Sequence, residues 1–335
     1  MAVHWRVHGG TCQAVHVDTP GVRPYGAPPP VAALLDKRLV VVSGKGGVGK
    51  STVAAALALG AARAGKRTLL CEVNTDERAV PLLGHAPVGP EIGRLEDNLW
   101  AVNVRPKEAM REYVLLQLKY KGLYDAVFEN RLVRRFLRFV PSLQELVMLG
   151  KILYHVKQTE PGGRPTWDLV VMDAPATGHA ITYLSVPQVI LDTVPPGPMS
   201  SEATWMRDIL VDPARTAAVL VTLPEEMPVN ETVELAAALR GRVKVNVAAV
   251  VLNGQVPERF SPEDVVAAEA ASDGLGELAR VHRARSGLSL ESEERLRASL
   301  PAPLVRVPRL YVPQFGRSAV EQCLAHLQPL LGGRP

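Results

Sequence analysis

A glycine-rich loop between an apolar strand and an alanine-rich helix constrains the fold of this chain more than any other feature. Residues 44–51 read GKGGVGKS and fit the phosphate-loop pattern G-x-x-x-x-G-K-[ST]. Residues 38–43, RLVVVS, predict a buried strand before the loop, and residues 51–64 predict a helix after it. In this setting an anion lies at a helix N-terminus, where backbone N–H groups and the helix dipole stabilise negative charge. The sequence therefore predicts nucleotide binding rather than a glycine-rich turn that binds nothing.

Each residue type in the loop suits a phosphate ligand. Glycines allow the backbone to wrap around a phosphate at dihedral angles that side chains forbid. Lys50 is placed to neutralise the β- and γ-phosphates, and the Ser51 hydroxyl is placed to ligate Mg²⁺. The predicted nucleotide-binding residues of the loop are Gly44, Gly46, Gly47, Val48, Gly49, Lys50, Ser51 and Thr52.

A second lysine, Lys45, follows the first glycine of the loop. Lys50 already fills the place of the loop's own phosphate-binding lysine, so Lys45 is either a solvated surface residue or directed outward to another site. A loop of the form K-G-G-x-G-K-[ST] resembles the deviant Walker A group, which includes ParA, MinD, nitrogenase iron protein and the arsenite-pump ATPase ArsA. It also includes the ATPase that guides tail-anchored proteins to membranes. The resemblance implies ATP as the nucleotide and a dimer in which Lys45 reaches the partner's phosphates.

A second motif distinguishes the branches of this group. Residues 168–173, DLVVMD, predict a buried strand that ends in Asp173, where a carboxylate can hold Mg²⁺ opposite the phosphate loop. The stretch that begins at Asp173 is similar to the switch II loop D-T-A-P-T-G-H of the ArsA and tail-anchored-protein-targeting family. Residues 174–176, Ala-Pro-Ala, depart from the family's T-A-P. The positions that match are Asp173, Thr177, Gly178 and His179. ParA and MinD lack the T-G-H sequence.

Switch I departs further from the family pattern. After the predicted strand at residues 68–73, the family carries T-D-P-A-H, whose aspartate orients the attacking water. The alignment places Asn74 at that aspartate, with Asp76 two residues later and Glu72 two residues earlier. An asparagine can hold a water but cannot accept its proton. We therefore expect slow hydrolysis, with Asn74 and Asp76 as the candidates for positioning the water.

A third match lies at the end of another predicted strand. Residues 247–254, VAAVVLNG, place Asn253 where the family has an adenine-contacting asparagine. An amide offers a donor and an acceptor to a base edge, which suits adenine. The alternative is an Asn-Gly turn after a strand.

Composition and cysteine usage exclude several classes of protein. The 335 residues carry a net charge of +4, with lysine and arginine spread along the chain, so we expect no nucleic-acid partner. No apolar stretch approaches 18 residues and the N-terminus has no signal-peptide core, which predicts a cytoplasmic protein. Cys12, Cys71 and Cys323 are scattered and form no C-x-x-C pair. Resemblance to iron-sulfur or interface-zinc members would require cysteine ligands that this sequence lacks.

The chain organisation predicts an α/β protein with the P-loop NTPase fold. Residues 1–36, rich in Pro and Gly, predict a poorly ordered tail or a misplaced start. Residues 37–332 form the predicted ATPase domain, a doubly wound, mainly parallel sheet with helices on both faces. The rhythm is interrupted by a helical insertion at about 106–158 and a shorter one at about 187–213. The predicted strands lie near residues 38–43, 68–73, 99–104, 168–173, 216–222, 246–252 and 304–308.

In the family, the insertions form a client-binding groove or lid. Here the first insertion carries a basic face and an apolar stripe at helical spacing, which predicts either a solvated face over a packed core or a surface for an apolar client or acidic lipid. The residues are Arg131, Arg134, Arg135 and Arg138 on one face and Leu132, Phe136 and Val140 on the other.

The resemblance therefore implies an Mg²⁺-dependent dimeric ATPase that couples nucleotide-driven opening and closing to a client. The client would be a tail-anchored or other hydrophobic protein, or a membrane pump. The dimer could be a homodimer or a heterodimer with a paralogous ATPase. Two alternatives remain open: a ParA- or MinD-like positioning ATPase that cycles on a surface, and an ATP-binding regulatory subunit that pairs with an active paralogue.

Overall fold

The computed structural model describes residues 3–8, 11–16, 33–118 and 143–332. The first two ranges are antiparallel strands, β1 (Val3–His8) and β2 (Thr11–His16), within a compact unit of residues 1–30. Val3, Trp5 and Val7 alternate with polar residues, which is the period of a strand. Part of the N-terminal segment that is predicted to be poorly ordered therefore forms a pair of antiparallel strands. The predicted boundary between this segment and the ATPase domain at residue 36 stays a prediction.

The second unit contains one eight-stranded sheet. Its strand order is β10-β9-β8-β3-β7-β4-β6-β5, and every neighbouring pair is parallel except the edge pair β5 and β6. The α/β P-loop fold with a mainly parallel sheet is thus confirmed. The strands are β3 (Leu39–Gly44), β4 (Thr68–Val73), β5 (Gly93–Glu96), β6 (Leu99–Val104), β7 (Leu169–Asp173), β8 (Thr216–Thr222), β9 (Val247–Gln255) and β10 (Leu304–Pro308).

Helices cover both faces of this sheet. The helices before β7 are α1 (Lys50–Arg63), α2 (Ala79–Leu82), α3 (Pro106–Leu118) and α4 (Leu143–Lys157). Those after it are α5 (Thr177–Thr193), α6 (Pro198–Val211), α7 (Glu226–Ala238), α8 (Pro262–Ala271), α9 (Asp273–Ser299) and α10 (Arg317–Leu327). No helix in the described ranges is long and apolar enough to cross a membrane.

The helix that follows the phosphate loop is buried along almost its whole length. Positions 52–62 of α1 are all buried, and alanine is the commonest residue among them. Small side chains allow α1 to lie close to the sheet and to the C-terminal helix α10. Gly60 marks the closest approach, because a β-carbon there would overlap the side chains of Leu324 and Leu331. The position of the phosphate loop is therefore fixed by packing on two sides.

Six of the seven predicted strands occur within one residue of their predicted bounds, and the seventh, β9, continues three residues further. The antiparallel edge strand β5 was not predicted, because its sequence GRLE has no apolar alternation. Helices α3 and α4 lie at the two ends of the first predicted insertion, and α6 lies in the second. The basic face and apolar stripe, Arg131 to Val140, lie outside the described residues.

Candidate nucleotide site

The phosphate loop joins the carboxyl end of β3 to the first turn of α1, as the sequence predicts. Two of its glycines are required by close approach. A β-carbon at Gly44 would overlap the carbonyl oxygen of Val221 on the neighbouring strand. Gly49, with φ of 94°, adopts the left-handed conformation, and a β-carbon there would overlap the amide of Asn253. Both ends of the loop are therefore set by backbone geometry.

Ser51 and Asp173, 122 residues apart in sequence, meet at the base of this loop. The Ser51 hydroxyl donates a hydrogen bond of 2.6 Å to Oδ2 of Asp173. Oδ1 of Asp173 is buried and has no hydrogen-bond partner among the described residues. A hydroxyl beside a carboxylate with an unused oxygen suits Mg²⁺, which prefers a few hard oxygen ligands and completes its shell with phosphate and water. The residues present therefore fit the predicted metal.

Burial strongly affects the Asp173 carboxyl. Its pKa is raised to about 6, chiefly by desolvation and also by the neighbouring Glu72 carboxylate, while the hydrogen bond from Ser51 and the charges of Lys50 and Arg78 oppose the rise. Asp173 lies opposite Glu72 in the register of β7 and β4. A cation at this site would relieve both the desolvation of Asp173 and its repulsion by Glu72.

Lys50 lies over the loop in a half-buried position. Its ammonium group donates a hydrogen bond of 2.9 Å to the Lys45 carbonyl oxygen. Burial lowers the pKa of Lys50, Asp173 opposes this, and the like charge of Arg78 adds to the lowering. A positive group with this environment is suited to receive a phosphate, which would offset its desolvation.

Lys45 points away from its own loop. Its ammonium group forms an ion pair of 2.7 Å with Glu231 of α7 and also contacts the Met227 sulfur. The two charged side chains are 28% and 32% exposed, so the pair lies at the surface. Within one chain, Lys45 therefore has an acidic partner, while its predicted contact with a second subunit stays a prediction.

Switch I emerges from β4 at the same edge of the sheet. Asn74 and Asp76 are both exposed, and Asn74 has a positive φ of 46° while its N–H donates to the Val104 carbonyl oxygen at 2.9 Å. The amide of buried Asn103 donates to the Thr75 carbonyl oxygen at 2.7 Å. The two candidate water-positioning residues therefore lie on a loop whose backbone is held from β6.

Two adjoining cavities extend along the loop. One, of about 520 Å³, is lined by loop residues including Lys50 and Ser51 and by Arg78. The other, of about 580 Å³, lies between the end of β9 and helix α9 and includes Asn253. Thr52 and Phe315 line both. The first has the charge suited to phosphates, and the second has the mixed apolar and polar walls suited to a base.

Asn253 contributes to the loop as well as to the second cavity. Its Nδ2 donates a hydrogen bond of 2.8 Å to the Val48 carbonyl oxygen. This contact stabilises the phosphate loop from β9. It leaves Oδ1 and the second amide hydrogen as the groups that a base could use, and adenine contact by Asn253 stays a prediction.

The stretch predicted to be switch II follows β7. After β7 the chain turns at residues 174–176, and α5 starts at Thr177. Gly178 is exposed and lines a surface cavity shared with Glu231. The side chains of Thr177 and His179 lie outside the described part of the structure. The first turn of α5 therefore lies near α7, whose Glu231 pairs with Lys45, and the phosphate-sensing role of this stretch stays a prediction.

Sequence reasoning missed three residues of this site. Asn103 supports switch I, Arg78 lines the phosphate cavity, and Phe315 lines both cavities. An asparagine inside the apolar strand LWAVNV was a usable signal, because a buried amide needs partners. For Arg78 and Phe315 the sequence offers no periodicity or motif, since both lie in loops.

A parallel sheet with a phosphate loop at its first strand, and a Ser–Asp pair beneath that loop, define a P-loop nucleotide-binding protein. The family model described as anion-transporting ATPase matches residues 37–195 and 198–272. The chain belongs to this ArsA family of ATPases.

Several relatives agree with this assignment. ATPase BagA of Mycobacterium tuberculosis is 30% identical over 250 residues, which cover 70% of this chain and 71% of the relative. A putative arsenical pump-driving ATPase of Halobacterium salinarum is 28% identical over 243 residues, covering 67% of this chain and 36% of that protein. ATPase GET3 of Mycosarcoma maydis is 26% identical over 168 residues, covering 48% and 47%.

Proposed function

We propose that this chain is a Mg²⁺-dependent ATPase that works as a dimer and couples nucleotide-driven closure to a client. The observation that carries the proposal is the pair of cavities joined at Thr52 and Phe315, with the hydrogen-bonded Ser51 and Asp173 beneath the phosphate end. One cavity is basic and bounded by a helix N-terminus, and the other has room for a base. Together they suit a nucleoside triphosphate.

Lys50 would bind the β- and γ-phosphates, and the N–H groups at the start of α1 would stabilise their charge. Ser51 and Asp173 would hold Mg²⁺, which neutralises charge on the phosphate oxygens when bound. In hydrolysis a water oxygen bonds to the terminal phosphorus, the bond to the β,γ-bridging oxygen breaks, and ADP leaves with that electron pair. Asn74 or Asp76 would orient the water. Phosphoryl transfer of this kind depends more on positioning than on a strong base, so we expect slow turnover.

Dimer formation would require Lys45 to leave Glu231 and reach the partner's phosphates. The partial exposure of the ion pair supports this part of the proposal, because pairs that solvent reaches contribute only about 1 kcal/mol and are readily exchanged. The phosphates of a bound nucleotide offer Lys45 a stronger charge partner than one carboxylate.

A cavity in the helical region favours a client with an apolar surface. A cavity of about 790 Å³ lies between α3, α4 and α6 and is lined in part by Tyr154, Trp205 and Met206. Tyr154 is 48% exposed. The relative named as a pump-driving ATPase makes a pump one client class, and the apolar walls of this cavity make a hydrophobic protein another.

The central test is nucleotide binding by Lys50→Ala. Loss of the main phosphate-neutralising charge should weaken Mg-ATP binding at least about tenfold, or roughly 1.4 kcal/mol, in isothermal titration calorimetry. Unchanged affinity would remove the loop from the site.

The rate of ATP hydrolysis by the wild type distinguishes the client-coupled ATPase from the two alternative functions. Measurable phosphate release supports the ATPase. Tight ATP binding with no release favours the regulatory subunit, because Asn74 cannot accept a proton. ATP-dependent release from lipid or DNA without a client favours the surface-positioning ATPase.

A further inference from the structure

Arg78 lies where switch I ends and the short helix α2 begins. It lines the phosphate cavity together with Lys50, Ser51 and the loop glycines. The family motif assigns no role to this position, and the residue is exposed. Its placement therefore raises the question of which ligand its charge serves.

The backbone at Arg78 is anchored by a buried carboxylate. Glu72 is 1% exposed, and its Oε1 accepts the N–H groups of Arg78 at 2.6 Å and Ala79 at 2.9 Å. Its Oε2 is 3.4 Å from the N–H of Val80. A buried charge with several donors is costly to disturb, so these bonds hold residues 78–80 at the end of β4. The Arg78 side chain therefore projects from a fixed point.

The guanidinium group of Arg78 has no direct anionic partner in the described part of the chain. Within residues 33–118 and 143–332 it forms no hydrogen bond or ion pair. The adjacent Glu77 does not neutralise it by direct contact, because its carboxylate accepts the N–H groups of Val88 and Gly89, each at 2.6 Å. Arg78 nevertheless acts on both Lys50 and Asp173. Burial lowers the pKa of Lys50 and the charge of Arg78 lowers it further, whereas burial raises the pKa of Asp173 and the charge of Arg78 opposes that rise.

Two cations that share one cavity repel each other unless an anion joins them. Lys50 supplies a point charge from the phosphate loop, and Arg78 supplies a planar fork from the end of switch I in the same cavity. The fork matches two oxygens of a phosphate group. A terminal phosphate between the two cations would satisfy both.

We infer that Arg78 binds the terminal phosphate of the triphosphate in the same chain, with Glu72 as the residue that positions it. The inference rests on the proposed function. It differs from the role of Lys45, which acts on the partner's site. An arginine at this position would also help to explain how hydrolysis proceeds with Asn74 in switch I. Its positive charge beside the terminal phosphate oxygens can stabilise the transition state without a general base.

The experiment measures affinity for Mg-ATPγS and for Mg-ADP by calorimetry in wild type, Arg78→Ala, Arg78→Lys and Arg164→Ala. Arg164 is an exposed arginine in the turn before β7, at the opposite edge of the sheet, and it controls for lost net charge. Arg78→Ala should weaken ATPγS binding at least about tenfold and ADP binding less than about twofold. Arg78→Lys should recover part of the difference, and Arg164→Ala should match wild type.

If Arg78 had only a structural role, Arg78→Ala would bind ATPγS and ADP equally less tightly, and that result would overturn the inference. Equal binding of ATPγS by Arg78→Ala and wild type would also overturn it. Failure of the proposed function looks different, because wild type itself would then bind neither nucleotide. Thermal unfolding of each variant confirms that it is folded. Glu72→Gln should reproduce the selective loss more weakly, because an amide oxygen accepts hydrogen bonds less strongly than a carboxylate.

Discussion

At the residue scale, the burial of the Asp173 carboxyl should lower the stability of the nucleotide-free protein at neutral pH. Its carboxyl is desolvated, lies beside Glu72, and leaves Oδ1 without a partner among the described residues. Such a group binds its proton more tightly when the protein is folded. A cation bound at the proposed site would offset this cost, so we expect metal binding to stabilise the folded protein.

Asp173→Asn should therefore stabilise the nucleotide-free protein at neutral pH. The folded-state pKa of about 6 lies above the unfolded value near 4, so the favourable contribution of the wild-type carboxyl is complete below pH 4 and lost as pH rises through 6. We expect the variant to gain about 1–3 kcal/mol in urea unfolding at pH 7 and nothing at pH 4. Equal differences at both pH values would contradict this account. Saturating Mg-ATP should reverse the order at pH 7.

Asn74 and Asp76 can be separated by single substitutions. If Asn74 holds the water, Asn74→Ala should lower phosphate release at least about tenfold at unchanged ATP affinity, while Asp76→Ala has little effect. The reverse result would assign the water to Asp76. Asn98, which also has a positive φ, provides the matched control, since Asn98→Ala measures the backbone strain alone. If neither substitution changes the rate, water positioning lies elsewhere.

At the element scale, the site depends on where strands end. Asp173 and Ser51 meet because a strand-ending carboxylate and a phosphate loop lie at the same edge of a parallel sheet, and this could be predicted from the sequence. The burial of Glu72 could not, because a charged residue at a strand end is usually solvated. Its role depends on the three N–H groups that residues 78–80 place around it. Strand β5 was missed because its pairing comes from β6 and not from its own pattern.

The contact between the phosphate loop and α7 should regulate dimer formation. Glu231→Gln weakens the ion pair with Lys45, so ATPγS-dependent dimerisation should tighten by about 1.5- to 5-fold, as expected for an exposed pair. Sedimentation equilibrium measures the change. Glu234→Gln, three residues later on the same helix, is the control for the loss of one negative charge. Weaker dimerisation of Glu231→Gln alone would show that Glu231 supports the dimer instead.

At the scale of the whole molecule, one sheet connects the nucleotide site to the helical region. Strand β7 ends at Asp173, and the chain then passes through switch II into α5 and α6, which borders the apolar cavity. Helix α4 leads back to β7 on the other side. A change at the terminal phosphate therefore has a short covalent path to the proposed client surface.

Lys45→Ala tests the proposed assembly. The variant should bind Mg-ATP as a monomer with wild-type affinity, because Lys45 does not line the phosphate cavity. It should lose ATP-dependent dimerisation and most turnover, since its charge would act on the partner's phosphates. Light scattering coupled to gel filtration measures the first property. Loss of affinity in the monomer would show that Lys45 acts on its own nucleotide.

The close packing at Gly60 has a consequence for protein engineering. Helix α10 and the turn at residues 328–331 fill the space against α1, so Leu324 and Leu331 support the helix that presents the phosphate loop. Shortening the chain before Leu331 would open a void beneath that helix. In the chain that retains these residues, Gly60→Ala would instead overpack the contact between α1 and these leucines, at a cost of about 1–3 kcal/mol. A protein fused at the carboxyl-terminal side should therefore keep the native residues through 331. We expect a fusion that removes them to bind nucleotide more weakly even while it still folds.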